Sequence, residues 1–147
     1  MSSRRPSPLA GEGGPKGRVG RSVSPAWSWL GLRQVELGEG SATVEMTATE
    51  DMANSAGFVH GGMISALADS AMGRSLRTVT PGVARAMSFD LKLSFITPAR
   101  VGEKLLATGR VVHAGRRTMV AECRIEAPGR RLVATASGTF AVTREKE

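Results

Sequence analysis

The chain has 147 residues, of which 41% are hydrophobic, and it contains a single cysteine, Cys123. This length suits one domain with its own core, and a single cysteine excludes an intrachain disulfide. No apolar run reaches the about 18 residues of a membrane helix, and the first residues lack the apolar stretch of a secretory signal. We therefore expect a soluble, cytoplasmic protein without a membrane partner.

The net charge of +7 is concentrated at the N-terminus. Residues 1–22 carry five basic groups and one acidic group, which gives +4 and leaves +3 for the rest of the chain. Neither an aromatic-interleaved basic stripe nor a zinc-finger spacing accompanies this charge, so nucleic acid is not an expected partner. Residues 1–25 also contain five glycines and four prolines. We predict a disordered basic tail there, followed by one folded domain over residues 26–143.

The apolar pattern predicts the secondary structure in chain order. A short helical turn at residues 26–32 precedes a hairpin at residues 35–49. After a loop comes the one long helix, residues 62–79, whose apolar residues recur at helical spacing on a broad face. Four strands follow, predicted over residues 86–96, 104–113, 118–127 and 131–142.

Tight connections at residues 115–117 and at Pro128–Gly129 require the last strands to pair in antiparallel fashion. The sequence therefore predicts an α+β domain, with the long helix covering the apolar face of an antiparallel sheet. In the first of the four strands, Met87 and Phe89 alternate with Ser88. A simple alternation assigns Ser88 to the polar face, away from the core.

The chemistry is predicted to lie where the loop becomes the long helix, at His60-Gly61-Gly62. The backbone N–H groups of Gly61, Gly62 and Met63 belong to the first turn and are expected to lack helical partners. Glycine lets a ligand approach the backbone closely, and the positive end of the helix dipole favours an oxygen that gains negative charge. This junction can therefore polarise an acyl carbonyl for attack by water.

Asp69 lies on the same helix, and its neighbours at helical spacing include no cation. A carboxylate on such a small, apolar stretch loses hydration, which makes it a better base. The alternative interpretation is a surface aspartate, or one bonded to the backbone, and this context alone favours neither.

The position of Asp69 on the helix predicts a composite site. Asp69 follows the helix start by about 10–12 Å along the axis, and nine residues turn it to roughly the opposite side from His60. One chain cannot easily aim both groups at one carbonyl. We therefore predict a two-fold dimer in which the helix start of one subunit faces Asp69 of the other.

His60 has no catalytic partner in the sequence, because neither a Ser-His-Asp order nor a G-x-S-x-G elbow is present. A role in orienting the loop is therefore favoured over proton transfer. The other histidine, His113, is distant in sequence, and Cys123 stands alone on an apolar strand. No metal site is predicted from these residues.

The sequence around these positions resembles the phenylacetate-degradation (PaaI-like) branch of the hotdog-fold thioesterases. The family pattern N-x-x-G-x-x-H-G-G-x-x-x-x-x-x-D is matched by Asn54, Gly57, His60, Gly61, Gly62 and Asp69. Residues 88–99 and the pair Gly102–Glu103 are also similar to the family, and the resemblance covers about residues 27–143. It implies a hotdog fold, in which five to six antiparallel strands wrap around one long central helix, and dimers that pair into tetramers.

The resemblance implies hydrolysis of an aryl or medium-chain acyl-coenzyme A thioester, with coenzyme A as part of the substrate and no cofactor. By similarity, Asp69 activates water or attacks the thioester directly. The Gly61 N–H polarises the carbonyl with help from Asn54. His60 holds the loop and can meet the leaving thiolate, and Ser88 assists Asp69.

Both ends of the substrate are expected to contact the protein. The acyl pocket is predicted to draw on Trp27, Trp29, Phe58, Gly62, Met63 and residues of a second subunit. Arg116 and Arg117 are predicted to bind coenzyme A phosphates, because the tip of a hairpin can reach a nucleotide on a neighbouring subunit.

A non-catalytic acyl-coenzyme A or aromatic-ligand binding module is the alternative function, because one fold can serve several functions. Asp69 distinguishes the two hypotheses. A binding protein has no use for a poorly solvated carboxylate near a carbonyl-polarising helix start, whereas hydrolysis requires one.

Overall fold

The computed structural model describes residues 24–144, except for the side chain of Ala84, and shows one long helix packed on a six-stranded antiparallel sheet. The elements are α1 (Pro25–Leu30), β1 (Arg33–Gly38), β2 (Ser41–Thr47), α2 (Gly61–Arg77), β3 (Val83–Phe95), β4 (Lys104–Ala114), β5 (Thr118–Ala127) and β6 (Arg131–Arg144). The predicted α+β order of hairpin, helix and four strands is confirmed. Residues 1–23 of the predicted tail lie outside the described residues.

The helix α2 covers one face of the sheet and supplies much of the core. Its buried apolar side chains are Ile64, Leu67, Ala68, Ala71, Met72 and Leu76. They pack against buried residues of the strands, such as Val44, Leu105 and Met119. Gly109 of β4 permits this close approach, because a Cβ there would lie 2.4 Å from the backbone oxygen of Ala71. This contact holds α2 at a defined height above the sheet.

The C-terminal end of α2 is tied to the β1–β2 turn. The Thr78 hydroxyl donates to the carbonyl of Ser75 at 2.7 Å and accepts the N–H of Gly40 at 2.7 Å. Both ends of the helix are therefore held, since His60 caps the other end through a hydrogen bond to Gly62. Fixed ends give the functional groups on α2 a defined position relative to the sheet.

The strand order β1-β2-β4-β5-β6-β3 leaves β1 and β3 at the two edges. β1 is short and a bulge between Gln34 and Glu36 interrupts it. β3 has 13 residues, and within residues 24–144 it pairs with β6 alone. It exposes apolar side chains, with Met87 66% and Phe89 63% accessible. A long apolar edge strand is a ready template for pairing with another chain.

A bulge in β3 overturns the simple alternation predicted for that strand. Ser88 pairs with Phe140, and the register shifts directly afterwards so that Phe89 has no partner. Paired residues share a sheet face, and Phe140 is buried on the face where Gly138 meets Met72 of α2. Ser88 therefore lies on the helix side of the sheet, because the extra residue reverses the alternation.

Cys123 of β5 is buried beneath α2, and burial raises the pKa of its thiol from 9.0 to about 12. Between those two pH values the folded chain keeps a proton that the unfolded chain releases, so stability should fall as pH rises through this window. We expect the native protein to leave a chromogenic disulfide reagent unreacted at about pH 8, and one thiol to react after denaturation. Rapid labelling of the native protein would contradict this burial.

Candidate active site

A cleft of about 470 Å³ opens at the start of α2. Three parts of the chain line it: the loop before the helix, the first turn of α2, and residues 95–99 with Val133 beside them. Asn54 and Thr97 supply its only polar side chains among these residues. The cleft is therefore a largely apolar space with few polar side chains, as expected for binding an acyl group.

Of the three amides expected to be free at this helix start, only that of Gly61 lacks an acceptor in the described chain. The N–H of Gly62 donates to His60 Nδ1 at 2.8 Å, and the N–H of Met63 donates to the His60 carbonyl at 2.9 Å. The expectation of three available donors was therefore wrong, because His60 folds back as the N-cap. The Gly61 N–H stands at the edge of the cleft as its backbone donor.

Gly61 also contacts an aromatic ring. A Cβ at position 61 would lie 3.2 Å from Cζ of Phe95. This distance is short enough that any larger residue must displace the ring. Phe95 is the last residue of β3, and its ring forms the cleft wall next to the Gly61 amide. Sequence analysis missed Phe95, because its place in the strand pattern indicated only a core residue.

The role of His60 as the N-cap of α2 fixes one hydrogen bond of its ring. An Nδ1 that accepts the Gly62 N–H carries no proton, so the neutral imidazole holds its proton on Nε2. His60 is exposed at the rim of the helix start, where Nε2–H is a donor available to a ligand.

Asn54 is oriented by its own loop. Its Oδ1 accepts the N–H groups of Ala56 at 3.0 Å and Phe58 at 3.1 Å. Gly57 completes the turn with a φ of +85°, in the left-handed region that favours glycine. With Oδ1 occupied, the Nδ2 hydrogens of Asn54 are left to donate to a ligand. The cleft thus holds a side-chain donor as well as the Gly61 amide.

Asp69 lies at the middle of α2 and outside the cleft lining. Its Oδ1 is buried, and no donor in the described part of the chain reaches that oxygen. A buried carboxylate oxygen without a donor is costly, so such atoms normally have a partner from water, a ligand or another chain. Eight residues separate Asp69 from Gly61, or about 12 Å along the axis. One chain alone therefore does not bring Asp69 to the cleft.

The other predicted site residues are distributed over the sheet. Ser88 lies in the middle of β3, on the helix side but outside the cleft. Arg116 and Arg117 line a second pocket of about 590 Å³, which Arg144 also lines. Sequence analysis missed Arg144, because its proximity depends on the pairing of β5 with β6. The second pocket is strongly basic.

The predicted residues thus form separate groups within one chain. Asn54, Phe58 and Gly61 share the cleft, whereas Gly62 and Met63 do not line it. Across residues 24–144, no group of three or more histidine, cysteine or acidic side chains could hold a metal ion. None of the helices in that range is long and apolar enough to span a membrane.

Comparison with known proteins identifies the family and the fold as those of a thioesterase. The thioesterase superfamily model matches residues 56–134, which include the helix start and Asp69. The chain therefore belongs to this superfamily, and its predicted class, a thioester hydrolase of the hotdog fold, is confirmed. The match covers the whole of α2 and the cleft-lining residues other than Asn54.

Individual relatives support the PaaI-like branch. The acyl-coenzyme A thioesterase PaaI of Escherichia coli is 34% identical over 96 residues, which are 65% of this chain and 66% of that enzyme. The structure of E. coli PaaI superposes with a TM-score of 0.76 and 30% identity, covering 82% of this chain and 85% of that one. A Streptococcus mutans protein solved with acetyl coenzyme A has a TM-score of 0.72 and 28% identity, covering 79% and 91%. The predicted resemblance is confirmed.

Proposed function

We propose that this protein hydrolyses an aryl or medium-chain acyl-coenzyme A thioester to the free acid and coenzyme A. The observation that carries the proposal is the buried Asp69 Oδ1, which has no donor among the described residues. The lone pairs of this oxygen are free to accept a hydrogen bond from an attacking water, which a general base must do. The acyl-coenzyme A activity named for E. coli PaaI and the acetyl coenzyme A bound by the S. mutans protein support this substrate class.

The active form that we propose is a two-fold dimer joined along β3. A strand pairs with its own copy in antiparallel fashion about a two-fold axis, which would extend the sheet and cover Met87 and Phe89. Leu37 is exposed on β1 at the opposite edge of the sheet, and Trp29 is exposed on α1. They favour a second interface, through which two dimers would form the predicted tetramer.

Pairing along β3 would also bring the two halves of the site together. In an antiparallel pair, the end of β3 in one subunit, at Phe95, lies beside the start of β3 in the other. The two α2 helices then run in opposite directions. Each Asp69 can approach the cleft of the opposite subunit, where Gly61 and Asn54 offer their donors.

The reaction follows from these groups. Asp69 accepts a proton from water as the water oxygen bonds to the thioester carbon, and the carbonyl electrons move onto oxygen. Gly61 N–H and Asn54 Nδ2 stabilise this oxyanion, because their donors are fixed before the charge forms. When the carbonyl re-forms, the carbon–sulfur bond breaks and the proton passes from Asp69 to the thiolate. Ser88, on the helix side of β3, is proposed to orient the carboxylate.

The basic pocket is proposed to bind the nucleotide phosphates of coenzyme A. Arg144 pairs with Val83 at the start of β3, whereas the cleft lies at the other end of that strand, about 40 Å away. In the antiparallel dimer, Arg116, Arg117 and Arg144 of the second subunit would move to the cleft end. A substrate could then place its thioester in one subunit and its phosphates on the other.

Replacing Arg116 and Arg117 together by alanine is expected to raise KM for acyl-coenzyme A about tenfold and to leave kcat nearly unchanged. Two charged hydrogen bonds to phosphate are lost, while the reacting groups stay in place. Arg110→Ala removes one charge from the exposed surface of β4 and serves as the control. A KM that is the same for both variants would contradict the phosphate role.

The proposed function is tested by incubating the full-length protein with a panel of aryl and alkyl acyl-coenzyme A esters and measuring thiol release. We expect turnover with at least one class, at a kcat above about 1 per second. Calorimetric binding of the same esters without thiol release would support the alternative, a non-catalytic binding module. If the protein neither binds nor hydrolyses any of these esters, the acyl-coenzyme A assignment is contradicted.

A further inference from the structure

One wall of the cleft is held by a pair of charged residues. This wall segment, defined as residues 96–99, contributes four of the cleft-lining residues. Arg131, the first residue of β6, donates from Nη1 to the carbonyl of Pro98 at 3.1 Å and from Nη2 to Glu103 Oε2. The other oxygen of Glu103 accepts the N–H of Arg100 at 3.2 Å. Together these contacts form the Arg131–Glu103 clasp.

The clasp holds the part of the wall that backbone hydrogen bonds leave untied. Thr97 is bound on one side, because its hydroxyl donates to the carbonyl of Leu132 at 2.7 Å. Ala99 is bound on the other side, where its carbonyl accepts the N–H of Val59 at 2.9 Å. Pro98 between them has no N–H, so its carbonyl is its one backbone hydrogen-bonding group. Arg131 binds that carbonyl.

Both members of the clasp are held firmly. The side chains of Arg131 and Glu103 are 33% and 18% accessible, so the ion pair is less screened than one in open solvent. The planar guanidinium can hold two acceptors at once in a fixed geometry, which a lysine ammonium does not do equally well. The position of the Pro98 carbonyl therefore depends on an arginine at 131 and a carboxylate at 103.

We propose that Arg131 and Glu103 are positioning residues that set the width of the acyl cleft and so determine which acyl groups are hydrolysed. This inference rests on the proposed function, because it assigns the acyl group to the cleft at the start of α2. Neither residue lines the cleft, and both act through the wall segment. When the clasp is broken, the wall can move outward and the cleft accepts acyl groups that the native width excludes.

The test is a ratio of specificity constants. One small and one bulky acyl-coenzyme A ester are chosen from the panel so that their kcat/KM values with the wild-type protein differ as much as possible. The ratio of these two values is then measured for each variant. Arg131→Gln and Glu103→Gln are each expected to reduce this ratio about fivefold or more, mainly by improving the poorer substrate. Both substrates report on the same folded molecules, so partial misfolding alone does not change the ratio.

The controls separate geometry from charge. Arg124→Gln breaks another ion pair, Arg124 with Glu126 at 2.9 Å, which lies on β5 away from the cleft lining, and should leave the ratio unchanged. The exchange Arg131→Glu with Glu103→Arg restores opposite charges, but it gives the Pro98 carbonyl and the Arg100 N–H the wrong partners. We expect the ratio to remain reduced in this variant. Recovery of the native ratio by the charge exchange would overturn the proposed geometry.

Selectivity between the two acyl groups can also be measured without hydrolysis, as the ratio of the Kd values of two non-hydrolysable thioether analogues. This arm separates failure of the inference from failure of the proposed function. If the protein binds both analogues but hydrolyses neither ester, the hydrolase proposal is contradicted. The Kd ratio then still shows whether the clasp sets the width of the cleft. An unchanged ratio in Arg131→Gln and Glu103→Gln, by either method, would overturn the inference.

Discussion

Asp69→Asn is expected to lower kcat for acyl-coenzyme A hydrolysis by about a hundredfold or more, because the amide cannot accept the proton of the attacking water. KM should stay within about threefold, since the donors at Gly61 and Asn54 are untouched. The substitution also removes the negative charge from a half-buried carboxylate whose Oδ1 is buried and has no donor in the described part of the chain. We therefore expect that the Tm does not fall.

The control for this prediction is Glu122→Gln, which makes the same carboxylate-to-amide change at an exposed position of β5. Its kcat should match the wild type. If Asp69→Asn retains full turnover, or loses activity only in proportion to a loss of folded protein, Asp69 has a structural role. A single-turnover reaction in ¹⁸O-labelled water separates general base from nucleophile. General-base attack places the label in the product acid, whereas direct attack followed by water addition at the Asp69 carboxyl carbon leaves the product unlabelled and puts the label on Asp69.

Co-expression of Asp69→Asn with Gly61→Val is expected to restore about a quarter of the wild-type activity, although neither variant is active alone. With random pairing, half of the dimers are mixed. A mixed dimer contains one site in which both residues are native, if Asp69 and Gly61 come from different subunits. The other site carries both substitutions.

Gly61→Val is expected to be inactive by itself, because its side chain must displace the Phe95 ring beside the amide donor. Valine keeps the N–H, but its side chain obstructs the approach of the carbonyl oxygen, and loss of one oxyanion contact reduces turnover by about a hundredfold or more. If each site were built from one chain, mixed dimers would contain no native site and activity would stay at background. Co-expression of each variant with wild type, under the same conditions, measures how freely the subunits mix. It also supplies the reference activity against which the expected quarter of wild-type activity is judged.

The order of the elements could be predicted because it depends on local pattern. The apolar spacing of α2 and the alternation in β4 to β6 reflect burial against one face, and glycine or proline mark most of the connections. Predicted and observed ends agree within a few residues, as for β5 at Thr118–Ala127. The family motif covered the same region, so the candidate residues Asn54, Gly61 and Asp69 could be named from the sequence.

The details of the site depended on tertiary contacts. The bulge after Ser88 adds one residue to β3, and the composition of the strand gives no sign of it. The return of His60 Nδ1 to the Gly62 N–H is a local hydrogen bond, yet a histidine in this position could equally point to solvent. Both features change which groups face the substrate without changing the pattern of apolar residues.

The sequence by itself determined the class of fold and the residue types at the helix start, because periodic burial and glycine chemistry are properties of neighbouring residues. Only the tertiary structure decided that Phe95 forms the cleft wall beside Gly61, that the Arg131–Glu103 clasp holds the wall segment, and that no donor in the described part of the chain reaches the buried Oδ1 of Asp69. These contacts join residues far apart in the chain, and their existence depends on the strand order and on the height of α2 above the sheet.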